Sequence, residues 1–135
     1  MLEFVYQLEI KESHLDTFGH VNNATYLNLY EEARWDFITK RGYGLKEIQE
    51  LRIGPVILDL NLKFKKELKN REVITIKTKT LEVSHRLIMK LQQTMHKPNG
   101  DIASFVEMSV GLMDLSERKL IEPTKKWLYA IGHEE

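Results

Sequence analysis

Between Ala24 and Arg41 the chain carries Tyr26, Leu27, Leu29, Tyr30, Ala33, Trp35, Phe37 and Ile38. At helical periodicity these residues cover well over half of the circumference. A helix lying on a protein surface shows a narrower apolar stripe. The pattern therefore predicts a helix covered on several sides, and the rest of the 135 residues must supply that cover. Asn22 or Asn23 can cap its start, and Gly42 after Lys40 and Arg41 is a suitable stop.

The remaining segments read mostly as strands. Glu3 to Lys11 alternates, with Phe4, Tyr6, Leu8 and Ile10 on one side and mostly polar residues on the other. Glu12 to Asn23 is a loop, bent at Gly19. After a short helix expected over Gly44 to Leu51, Val56 to Lys65 places Val56, Leu58, Leu60, Leu62 and Phe64 on one face. Val73 to Val83 is rich in β-branched residues, and Arg86 to His96 is a further apolar-polar run. Pro98-Asn99-Gly100 forms a hairpin turn into a long strand over Ile102 to Leu115. A short extended piece near Leu120-Ile121 precedes Pro123, and Thr124 to Ile131 reads as a terminal helix. Tight turns imply antiparallel neighbours. The expectation is an α+β domain spanning residues 1–135, with an antiparallel sheet of about five strands wrapped around one long central helix. Neither a repeat nor a linker divides it.

Charge excludes several classes. Lys plus Arg and Asp plus Glu number 20 each, so bulk charge argues for neither nucleic acid nor membrane. With no cysteine there is no disulfide framework, thiolate nucleophile or thiolate metal site. No compact His and acid set stands at ligand spacing, so no metal and no organic cofactor are expected. The N-terminal residues carry an acid and no long apolar run, unlike a signal peptide, and no segment approaches the roughly 20 apolar residues of a membrane span. The expectation is a cytoplasmic protein without membrane insertion.

Chemistry concentrates where the loop meets the helix. One acid, Asp16, lies a few residues ahead of Asn22 and Asn23. A carboxylate at the N-terminus of a buried helix suits hydrolysis, because the helix offers N–H groups and a positive dipole end to a developing oxyanion. The plain alternative is an aspartate that forms an Asx turn or caps the helix.

The stretch Asp16-x-x-Gly19-His20-Val21-Asn22-Asn23-x-x-Tyr26-Leu27, followed by Glu31-x-Ala33-Arg34, resembles the signature of the 4-hydroxybenzoyl-CoA thioesterase family. These hot-dog-fold enzymes hydrolyse acyl thioesters of coenzyme A. The His-Val-Asn-Asn-x-x-Tyr core is also similar to acyl-carrier-protein thioesterases of the same fold. The resemblance implies the hot-dog fold, with Asp16 as nucleophile or general base. It also implies a backbone N–H at Asn23, seven residues later, aimed at the thioester oxygen. In the related Tol-Pal-associated enzymes that position is usually His, three residues from a Tyr; here Tyr26 matches and Asn23 does not. His20 is a third catalytic candidate. In carrier-protein thioesterases a similar His works with an Asn two residues after the acid, where this chain has Phe18.

Gly19, Tyr26, Val56, His85 and Arg86 are the expected substrate-binding residues. Arg86 suits a phosphate of coenzyme A because its fork can hold two oxygens. Lys63, Lys65, Lys66, Lys69 and Arg71 flank another turn, and solubilising strand charges are the plain reading of each. Glu31 and Arg34 are spaced to form a structural i,i+3 ion pair. The family likeness further implies a homo-oligomer, a dimer or a homotetramer, with sheets paired edge to edge. The loop from Phe18 to Asn23 of one chain would then face the strand starting at Val56 of the other. Three rival readings stand beside acyl-CoA hydrolysis. They are a carrier-protein thioesterase, a non-catalytic acyl-CoA-binding module, and a hydratase using His20 with Glu31. The lack of a DNA-binding segment counts against the second, and Asp16 is unexplained by the third.

Overall fold

The computed structural model describes residues 2–81 and 85–133. In chain order it contains β1 (Glu3–Glu9), α1 (Asn23–Lys40), α2 (Leu45–Leu51), β2 (Ile53–Phe64), β3 (Val73–Thr80), β4 (Ile88–His96), β5 (Ile102–Asp114), β6 (Lys119–Ile121) and α3 (Lys125–Ala130). The strands form one antiparallel sheet in the order β1-β3-β4-β5-β2, with β6 paired to β5. Among the described residues the sheet thus has six strands rather than about five, the sixth being the short piece at Leu120-Ile121. Residues 82 and 83, expected to close the third strand, and Ser84 after them lie outside the described residues.

Helix α1 begins where the asparagines predict, with Asn22 as the cap accepting the Thr25 N–H at 3.0 Å. It ends at Lys40, ahead of Gly42 at φ 89°. Its buried residues are Tyr26, Leu29, Tyr30, Ala33, Phe37 and Ile38, while Leu27 and Trp35 are half-buried and Asn28, Glu31 and Glu32 are exposed. The apolar sequence reaches further round the helix than the cover within one chain does. Ring stacking and hydrogen bonds tie α1 to the sheet. Phe37 stacks on Phe4 of β1 at 4.1 Å, and the buried Tyr30 hydroxyl hydrogen-bonds the Ser104 hydroxyl of β5. Arg34 Nη1 donates to Gln93 Oε1 of β4 at 2.9 Å. The Glu31–Arg34 ion pair expected from their spacing is replaced by this last bond.

Strand β2 departs from its predicted pattern in a way that matters for the site. A bulge falls between Ile57 and Asp59, leaving Leu58 without a partner on β5. An extra residue reverses the side-chain phase. Pro55 and Ile57 lie opposite the buried Leu112 and Val110, whereas beyond the bulge Leu60 and Leu62 lie opposite the buried Met108 and Val106. Val56 and Leu58 therefore do not share the inner face with Leu60, Leu62 and Phe64. As an end strand β2 leaves Ile57, Leu58, Leu60 and Phe64 substantially exposed. Among the described residues no helix is long and apolar enough to cross a membrane.

Candidate active site

The loop before α1 is closed by its own backbone. Leu15 bridges Val21, Asp16 N–H donates to the His20 carbonyl at 2.9 Å, and Gly19 N–H returns to the Asp16 carbonyl at 3.0 Å. Gly19 turns the chain at φ 80°, a conformation glycine adopts without steric cost. The Asp16 side chain reinforces the turn, since Oδ1 accepts the N–H groups of Phe18 at 2.9 Å and His20 at 3.1 Å. The Asx-turn geometry is thus present. Oδ2 makes no bond to another described residue, and Asp16 is exposed.

Asn23 is the first residue of α1, so its N–H has no acceptor within the helix. Its side-chain oxygen accepts the Ala24 N–H at 3.0 Å. The helix terminus opens into a cleft of about 490 Å³, lined by His20, Val21, Asn23 and Tyr26 on one side and by Phe64, Lys65, Lys66 and Glu67 on the other. Tyr26 meets Phe64 edge to face at 5.0 Å, and burial pushes its phenol above the ordinary value. His20 Nε2 stands 3.1 Å from Glu67 Oε1. Helix dipole and two lysines make one end of this cleft favourable to an anion. Asp16 stands beside the cleft rather than in its wall, joined to it through the His20 N–H.

A second cavity of about 90 Å³ lies further along α1. Glu31, Arg34, Trp35 and Ile38 line it from the helix, Pro55 and Ile57 from β2, and Leu91, Val110 and Trp127 from behind. Desolvation lowers the Arg34 pKa, with the Glu31 charge acting in the opposite sense.

The structure brings Gly19, His20, Asn23 and Tyr26 together but disperses the other expected residues. Val56 points away from the small cavity while its neighbours Pro55 and Ile57 line it. His85 accepts the Leu87 N–H within its own turn, and Arg86 pairs with Glu122 at 3.0 Å, so neither lines either cavity. Arg71 is taken up by Glu9 and Glu12. Glu67 and Phe64, which carry no motif signal in the sequence, also line the cleft. Among the described residues no group of three or more His, Asp or Glu side chains is arranged to hold a metal ion.

The sequence pattern of the thioesterase-like superfamily matches residues 11–131. Among curated relatives, the long-chain acyl-CoA thioesterase FadM of Escherichia coli is 24% identical over 115 residues, covering 85% of this chain and 86% of FadM. The chloroplastic acyl-acyl carrier protein thioesterase ATL2 of Arabidopsis thaliana is 30% identical over 95 residues, 70% of this chain but 50% of that protein. Among solved structures, the hypothetical protein SAV2348 of Staphylococcus aureus, in complex with CoA, superposes with a TM-score of 0.88 at 20% identity. That match covers 98% of this chain and 83% of the other.

Proposed function

The chain belongs to the thioesterase-like superfamily, and from that premise we propose that it hydrolyses acyl-CoA thioesters to a carboxylate and free coenzyme A. The observation that carries this reading is the N-terminus of α1 opening, beside Lys65 and Lys66, into the cleft of about 490 Å³. The finer kinship, to the 4-hydroxybenzoyl-CoA thioesterases, rests on the motif from Asp16 to Arg34.

Asp16 removes a proton from the water that attacks the thioester carbonyl carbon, or attacks that carbon itself to give an acyl anhydride, which water hydrolyses after the thiol has left to release the carboxylate and restore Asp16. Charge moves to the carbonyl oxygen, where the Asn23 N–H and the helix terminus stabilise it. The C–S bond then breaks, and the coenzyme A thiolate leaves and takes up a proton. His20, held by Glu67, stands at the cleft as a proton carrier. Lys65 and Lys66 suit the phosphates of coenzyme A better than Arg86, which is engaged with Glu122.

The β2 edge, unpaired among the described residues, favours a homo-oligomer. Two β2 edges paired antiparallel about a two-fold axis near mid-strand bring the Pro55–Ile57 end of one beside the Phe64 end of the other. The small apolar cavity of one protomer then adjoins the N-terminal cleft of its partner, and the site is completed between chains. The likeness to ATL2 favours a second reading, hydrolysis of carrier-protein thioesters, although Phe18 replaces the Asn such enzymes carry.

Release of free thiol from short, long and aromatic acyl-CoA esters tests the proposal. At least one should be turned over well above background. Background rates across the whole panel would contradict it, and turnover of carrier-bound chains alone would establish the second reading.

A further inference from the structure

Gln93 is fully buried, and both its Nε2 bonds are committed, to the Tyr30 carbonyl at 3.1 Å and the Thr78 hydroxyl at 3.0 Å. This arrangement fixes the amide with Oε1 towards Arg34, whose Nη1 donates to it at 2.9 Å. The guanidinium is therefore oriented from behind by a neutral group. Its Nε and Nη2 make no hydrogen bond to another described residue and are not sealed from solvent. Those two nitrogens form the side-on fork that matches a carboxylate with two parallel bonds. Arg34 lies in the wall of the small cavity, whose other lining is largely apolar, including Trp35, Ile57, Leu91 and Trp127. Glu31 also lines it, but makes no ion pair with Arg34. A half-buried cation with one neutral partner is costly to keep unless something else satisfies it.

We infer that the Arg34 cavity takes an apolar group ending in a carboxylate, carried as a second acid function at the far end of the acyl chain. In its link to substrate this rests on the hydrolysis proposed above, whereas the carboxylate site does not. The small volume suits a chain end rather than a whole long chain. Arg34 lies eleven residues beyond Asn23, roughly 16 Å along the helix axis at 1.5 Å per residue. The cavity is therefore remote from the helix terminus of its own chain, and the partner arrangement described above brings it beside the other chain's cleft. The Glu31 carboxylate disfavours a second anion, so neutralising it should strengthen the site.

The test uses the full chain in two arms. Calorimetric titration with hexanoate and with hexanamide should show the carboxylate binding about tenfold or more tightly, as charge-assisted pairing requires. Kinetics with adipoyl-CoA and hexanoyl-CoA separate a carboxylate at the far end of the substrate from a carboxylate formed as product. The wild type should favour adipoyl-CoA in kcat/KM by about tenfold or more. Arg34→Met should bring both ratios to one or below, and Arg34→Lys should keep part of each, having charge without the fork. If Arg34→Met fails to fold, Glu31→Gln at an exposed position still decides, since it should raise both ratios a fewfold. Equal treatment of acid and amide by the wild type, or ratios indifferent to Arg34 and Glu31, would overturn the inference. If no thioester is hydrolysed but hexanoate binding follows Arg34, the hydrolysis proposal fails and the carboxylate site stands. Hydrolysis of hexanoyl-CoA in preference to adipoyl-CoA would overturn the substrate assignment and leave the hydrolysis intact.

Discussion

Oδ1 of Asp16 holds two backbone N–H groups of its own loop, while Oδ2 makes no bond to another described residue. One oxygen can therefore keep the turn while the other reacts, so the plain and the catalytic readings share a geometry. That His20 and Asn23 fall together at the helix start, with Asp16 beside them, was legible in sequence because their spacing is local and the helix start is marked by asparagines. Glu67 was not legible. It follows Lys65 and Lys66 and reads as one more turn charge, and its pairing with His20 exists only once the β2 turn reaches the loop before α1. A buried pair offers the clearest stability test at this scale. The Tyr30 hydroxyl and the Ser104 hydroxyl bond each other where neither meets solvent, and burial pushes the phenol pKa of Tyr30 upward. Tyr30→Phe should lower the unfolding free energy by about 1–3 kcal/mol, because the Ser104 hydroxyl is left without its partner. Chemical denaturation would measure this, and adding Ser104→Ala should recover part of the loss. A Tyr30→Phe variant as stable as the wild type would mean that water replaces the bond.

At the scale of elements, periodicity located nearly every strand and helix, and the errors have separate causes. The sequence of α1 reads as enclosed because apolar residues cover most of its circumference, yet Leu27 and Trp35 remain half-exposed in the single chain. In sequence Val56 to Phe64 alternates with one apolar face, yet the bulge at Leu58 reverses its phase, a change that apolar residues on both sides conceal. The two findings concern neighbouring surfaces, the uncovered side of α1 and the free edge of β2. A long, apolar, unpaired edge is ordinarily covered or blunted. The expectation is that the chain sediments as a dimer or larger at micromolar concentration. Leu58→Lys, a charge at the exposed bulge, should shift it towards monomer. A wild-type chain that sediments only as monomer would contradict the edge-to-edge arrangement.

For the whole molecule, two cavities of different character lie on one helix. One lies at the helix N-terminus with His20, Lys65, Lys66 and Glu67 in its wall, and one lies near the helix middle among Trp35, Ile57, Leu91 and Trp127. A thioester of coenzyme A has the same division, an anionic carrier at one end and an apolar acyl group at the other. Superfamily membership gives the reaction class, and in the proposed pairing of β2 edges the cleft of one chain and the cavity of its partner would hold the two ends. The most direct measurement is kcat for Asp16→Asn on the thioester the wild type hydrolyses best. Asn keeps the size and the Oδ1 bonds of the turn, so folding and substrate binding should change little. Loss of the reactive charge should lower kcat by roughly a hundredfold or more, since a positioned base alone is worth about 10²–10⁴. A folded Asp16→Asn enzyme within a fewfold of wild-type kcat would contradict the account and leave Asp16 a turn residue.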